Sequence, residues 1–145
     1  MTERFVMKEV EPGAYKAMLG LEAYLSSTGI SPLHHEMIRV RVSQINGCAY
    51  CIDKHTKDAR KQGETEQRLY LLNAWRESPQ FTDEERVILA ITEEVTHISR
   101  QGLTEATYQK ALQQFGLKRT AEVIMAVNII NAWNRIGISS HRIPV

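Results

Sequence analysis

The chain has 145 residues, the length of one ordinary domain, and its 43% hydrophobic and 24% charged residues are enough for a core under a solvated surface. A net charge of +1, no basic stripe with interleaved aromatics and no apolar run near the length of a bilayer span argue against nucleic-acid and membrane partners. The opening residues MTERFVMKEVEPG lack the apolar core of a secretory signal, so the default address is the cytoplasm, where a disulfide is more often catalytic than structural.

Most of the chain reads as helix, with four prolines and eight glycines falling mainly at junctions. A first helix is expected from about Pro12 to Ser27, with Gly29 as its stop signal. Ser31 then stands as an N-cap, and Pro32 takes the first helical position, where its missing N–H costs nothing. This second helix buries Leu33, Met37, Ile38 and Ile45 and breaks at Asn46-Gly47. Its IRVRVSQI stretch alternates like a strand, but the Ser-Pro start and the lack of a pairing partner favour helix. A third helix begins near Cys48 and ends at Gly63. Thr65 caps a fourth, which holds Leu69, Leu72 and Trp75 and stops near Ser78-Pro79. Thr82 and Glu85 have capping-box spacing for a fifth, whose Val87, Ile88, Ile91, Val95 and Ile98 recur at helical intervals. Thr104 opens a sixth and Gly116 closes it.

The seventh helix, from about Lys118 to Arg135, carries VIMAVNIINAW, apolar nearly all round. Such a helix needs cover on every side. It is either a central core helix or one that shows part of its surface to another subunit, and a homo-oligomer is the expectation. The fold class is all-α, a single-domain bundle of about six to seven helices over residues 1–145.

The two cysteines, Cys48 and Cys51, stand three apart, with His55 four residues further on. A thiol attacks as thiolate, so its reactivity depends on what lowers its pKa. Both cysteines fall in the first turn of the third helix, where unpaired N–H groups and the helix dipole favour negative charge. His55 shares a helix face with Cys51 and can exchange its proton. Glu36 lies twelve residues before Cys48, roughly 18 Å away along one continuous helix. The turn at Asn46-Gly47 brings the chain back, and in that hairpin Glu36 reaches the height of His55 within a few ångströms. A carboxylate there holds the imidazole's tautomer, giving a relay from Glu36 through His55 to the thiol. A bridge between cysteines three apart removes little chain entropy, so stability is a poor reason for it.

The stretch EMIRVRVSQINGCAYCIDKH resembles the alkylhydroperoxidase D-like proteins of the carboxymuconolactone decarboxylase superfamily, whose motif is Glu, eleven residues, Cys, two residues, Cys, three residues, His. Glu36, Cys48, Cys51 and His55 match every spacing, and the likeness runs on through FTDEERVILAITEEVT and INAWNRIGIS. The resemblance implies thiol-dependent reduction of hydroperoxides. Cys51 maps onto the attacking cysteine, Cys48 onto the resolving one, and His55 with Glu36 onto the proton relay. It also implies a dimer, trimer or hexamer and an external dithiol or protein reductant. Tyr50 stands where some members have a histidine, and the chain holds one copy of the helical motif, so no particular lipoyl or peroxiredoxin partner is carried over.

Four other readings stand beside this one. The pair can serve as a disulfide reductase or electron carrier for a protein partner. It can belong to a redox-sensing or interaction protein whose pair oxidises without fast recycling. Cys48, Cys51 and His55, with Glu36 or a water as the fourth ligand, can hold zinc. The cysteines can also be small buried hydrophobes. No glycine-rich phosphate loop follows a strand, so no nucleotide, flavin or haem cofactor is expected. His34 and His35 are read as surface or interface residues, His97 as a helix-face partner of Glu93, and Trp75 and Trp133 as packing. Arg39 and Arg41 either pair with acids near the site or are solvated. Asn131 and Asn134, if buried in the apolar helix, need partners across a helix or subunit boundary.

Overall fold

Helix boundaries fall where side chains satisfy the end groups of the backbone. The computed structural model describes residues 1–144. The expected domain runs on to position 145, which lies outside the described residues. The elements are α1 (Met7–Val10), α2 (Pro12–Ser26), α3 (Pro32–Asn46), α4 (Ala49–Lys61), α5 (Glu66–Leu71), a 3-10 helix (Leu72–Glu77), α6 (Asp83–Thr96) and α7 (Glu105–Ser139), with no strand among the described residues.

Ser31, Thr65 and Thr104 each accept a hydrogen bond from the backbone N–H three residues on, at 3.2, 3.2 and 3.3 Å. Thr82 and Glu85 close a reciprocal capping box. The IRVRVSQI stretch lies wholly inside α3. Gly116, at φ 78° and ψ 175°, breaks α7 into 105–115 and 117–139, the division expected from the sequence.

Three details differ from the sequence reading. The short α1 carries no cap signal strong enough to announce it. The helix after Thr65 tightens into 3-10 geometry around Ala74, which leaves helical φ/ψ. Helix α6 ends at Thr96, so Ile98, expected on its buried face, is 61% exposed.

The core lies where α3, α6 and α7 meet. Ile38, Val40, Val42, Leu89, Ile91, Val123 and Val127 are all fully buried there. Each such side chain contributes roughly 1.5–3 kcal/mol. The apolar segment 117–139 is covered on most sides by α6, α3, α2 and α4 of the same chain, while Leu117 and Ile138 stay exposed. None of the described helices is long and apolar enough to cross a membrane.

A polar cluster locks the end of α3 to α7. Asn46 Nδ2 donates to Asn131 Oδ1 at 2.9 Å and Asn134 Oδ1 at 3.0 Å. Asn134 Nδ2 donates to Ser43 Oγ at 3.0 Å, and Asn131 Nδ2 donates to Thr96 Oγ1 at 3.1 Å. The asparagines of the apolar helix thus find their partners across helix boundaries within the chain, one residue before the turn that carries the cysteines.

Candidate active site

Gly47 takes a left-handed φ of 72°, a conformation glycine enters without a Cβ penalty, and so ends α3 and turns the chain into α4. Cys48 becomes the N-cap of α4, its sulfur accepting from Cys51 N at 3.4 Å. The two cysteines are joined in a disulfide, with Cα atoms 5.3 Å apart. Cys48 and Cys51 are only 2% and 4% exposed, but Cys51 lines a cavity of about 310 Å³ and Cys48 does not. The difference assigns the accessible sulfur to Cys51.

Helix α4 turns Cys51, His55 and Ala59 inward, pairs Asp53 with Lys57 at 2.8 Å on its outer face, and sets the Lys54–Asp58 pair, at 2.6 Å, along the cavity that Cys51 lines. The hairpin brings His55 Nδ1 within 2.8 Å of Glu36 Oε2. An ionised carboxylate only accepts, so Nδ1 carries the proton of that bond, and Nε2 is the atom that can exchange one. Burial pushes the Glu36 carboxyl up, but the hydrogen bond to His55 and the Arg39 guanidinium more than offset it and hold the group below the usual carboxylate range.

Behind the Glu36–His55 pair runs a second set of contacts. Arg39 Nη1 donates to Glu36 Oε1 at 2.6 Å and Nη2 to Glu22 Oε2 at 2.7 Å. Glu22 Oε1 accepts from Trp133 Nε1 at 2.8 Å, and the Trp133 ring meets Tyr15 edge-on at 5.7 Å. The chain of contacts therefore draws on α2, α3, α4 and α7. Of the two readings for Arg39, pairing is the one observed; Arg41 likewise pairs, with Glu93 at 2.8 Å.

Gly137 on α7 backs the disulfide. A Cβ there would stand 3.4 Å from Cys48 Sγ and 3.7 Å from Cys51 Sγ, so a larger side chain would press on both sulfurs. Trp133 does more than pack, since its indole N–H orients Glu22. Nothing in the sequence singles out Glu22 or Gly137, because both act through contacts with residues far along the chain.

The remaining histidines are corrected by the structure. His35 is buried, its Nε2 3.3 Å from Thr28 Oγ1, so it is not a surface residue of the chain, while His34 is partly exposed and stands 3.7 Å from Glu85. His97 is the C-cap of α6, while Glu93 gives its carboxylate to Arg41, Trp75 and Arg76. A zinc site would need both cysteines as thiolates, so that reading concerns the reduced protein and not the disulfide-bonded pair seen here. A different trio, Glu36, His55 and Asp58, brings ligand-type atoms within 4.8 Å of one another. Those carboxylates are already matched by Arg39 and His55 on one side and by Lys54 and Lys61 on the other.

Residues 12–94 match the carboxymuconolactone decarboxylase family. The chain is 39% identical over 96% of its length to the uncharacterized Bacillus subtilis protein YdfG, of which it covers 95%. Its fold is similar, with a TM-score of 0.95 and 33% identity over 99% of each chain, to a protein of unknown function from Agrobacterium tumefaciens described provisionally as the antioxidant defence protein AhpD. An uncharacterized peroxidase-related protein from Silicibacter sp. TM1040 aligns with a TM-score of 0.78 and 25% identity, covering 90% of this chain and 69% of that one.

Proposed function

This chain belongs to the carboxymuconolactone decarboxylase family, on its alkylhydroperoxidase D-like side, and we propose that it is a thiol-dependent peroxidase cycling through the Cys48–Cys51 disulfide. The observation that carries this reading is a cavity-facing Cys51 in the same pocket as a His55 held by the buried Glu36 carboxylate.

In the reduced protein, the first turn of α4 favours a thiolate at Cys51. That thiolate attacks the terminal oxygen of a hydroperoxide. The S–O bond forms as the O–O bond breaks, leaving a Cys51 sulfenic acid and an alkoxide. His55 Nε2 supplies the proton that turns the alkoxide into an alcohol, and Glu36 stabilises the charged imidazole meanwhile. The Cys48 sulfur then attacks the sulfenic sulfur and water leaves, giving the disulfide. An external dithiol reduces that bond by exchange and becomes a disulfide itself. The net reaction is hydroperoxide plus dithiol to alcohol, water and disulfide.

Stopped-flow oxidation of the reduced protein tests the scheme. Cys51→Ser is expected to abolish turnover. Cys48→Ser is expected to react once and stop at a sulfenic acid that dimedone traps. Full peroxide consumption by Cys51→Ser protein, or a wild-type rate no faster than a free thiol's, would overturn it. Exchange with a protein disulfide in the absence of peroxide turnover would assign the pair to electron transfer instead.

A further inference from the structure

We propose that the cavity at Cys51 selects a hydroperoxide that is apolar in its body and anionic at its far end, with the Arg142 guanidinium as the counter-charge. This deepens the peroxidase reading and rests on it. The cavity's 310 Å³ amounts to roughly ten water volumes, far more than hydrogen peroxide fills. Tyr15, Leu19, Trp133 and Ile136 give it an apolar wall, which suits an organic group.

The charges that line it are almost all committed to one another. Glu22 and Glu36 share Arg39, and Asp58 holds Lys54. Arg142 is the exception. Its guanidinium lies 4.6 Å from the centre of the Tyr50 ring, and no carboxylate of the described residues pairs with it. Its N–H donors are therefore available to a ligand.

The tail is built to put Arg142 there. After α7, His141 takes a left-handed φ of 55°, which residues with a Cβ adopt infrequently. The turn lets Arg142 N donate to Gly137 O at 2.9 Å and directs the side chain over Tyr50, between the two cysteines in sequence. Arg4 ties the N-terminal segment to the same place, donating from its backbone N to Ser140 O at 2.8 Å and from Nη1 to Ser139 O at 3.2 Å. An anionic group on Arg142 therefore points the rest of a short apolar molecule into the cavity toward Cys51.

Two peroxides of matched reactivity make the test: cumene hydroperoxide and its para-carboxylated counterpart. The wild type is expected to favour the carboxylate in kcat/KM by about fivefold, the upper range for a solvent-facing charge pair. In Arg142→Gln the ratio should fall to about one, while Arg142→Lys, which keeps the charge, should retain a preference. Equal rates for the two peroxides in the wild type, or an undiminished ratio in Arg142→Gln, would overturn the proposal and leave the peroxidase reading standing. Equilibrium binding of para-isopropylbenzoate against para-isopropylbenzyl alcohol, read by titration calorimetry on the oxidised protein, separates the two ideas. Preference for the benzoate that is lost in Arg142→Gln supports the selectivity even if neither peroxide is consumed, and equal binding of both in the wild type refutes it.

Discussion

Arg39→Met removes the cation on which the site's two inner carboxylates converge, while methionine keeps much of the aliphatic stem. The guanidinium donates to Glu36 at 2.6 Å and to Glu22 at 2.7 Å. Hydrogen bonds to charged groups contribute roughly 1.5–3 kcal/mol each. The Glu36 side chain is 9% exposed, so its bond keeps about 2 kcal/mol of that. Glu22 is 29% exposed, and water screens its bond toward the ~1 kcal/mol of surface pairs. The expected loss is about 3 kcal/mol near neutral pH, short of the full penalty for an orphaned buried charge because Glu36 keeps His55 and Glu22 keeps Trp133. The pH dependence has a definite sign. Glu36 sits below its ordinary 4.5 in the folded protein, so the stability it contributes is present above pH 4.5 and disappears as pH falls through its folded value. The gap between wild type and Arg39→Met should therefore be widest at neutral pH and narrow on the acid side. Urea unfolding of the oxidised proteins at several pH values measures both. A loss below about 0.5 kcal/mol at neutral pH, or a gap that does not change with acid, would show that Arg39 does not join His55 in keeping Glu36 ionised.

Glu36→Gln preserves the shape of the relay and removes its charge; oxidation of reduced Cys51 should slow by about 10²–10³, and a change under about threefold would take the carboxylate out of the chemistry. Glu85 is pushed up by burial but held down to about 2 by His34, Arg68 and the Thr82 N–H. Against an unfolded value of 4.5, that is on the order of 3 kcal/mol, fully present above pH 4.5 and lost as pH falls toward 2. Glu85→Gln should flatten this part of the acid-unfolding curve. Gly47→Ala meets no atom within 4 Å, so its cost should be the backbone strain at φ 72° alone, about 1–2 kcal/mol in urea unfolding, with the disulfide still able to form. Gly137→Val should do the reverse, crowding the sulfurs 3.4 and 3.7 Å from its Cβ and slowing disulfide closure after sulfenic acid formation.

The elements most readable from the chain were those set by local chemistry. Ser31-Pro32, Thr65, the Thr82–Glu85 box, Thr104 and Gly116 mark their helix ends because a cap is a contact between residues at most a few positions apart. The meeting of Glu36 with His55 was also legible, because a tight turn and a fixed rise per residue leave a two-helix hairpin little freedom. Ile98 keeps helical spacing with the α6 face, yet α6 ends at Thr96, so spacing alone does not bury it.

The sequence by itself determined an all-helical chain and placed two sulfurs, an imidazole and a carboxylate within one hairpin. The tertiary fold alone decided what surrounds them. Glu22 and Trp133 meet across 111 positions, and Arg4 meets the end of α7 across 135. The packing of α2 and α7 over the hairpin also selects Cys51 as the sulfur facing the cavity and Gly137 as its backing. Such contacts depend on how buried faces fit together in three dimensions, and no spacing along the chain encodes that fit.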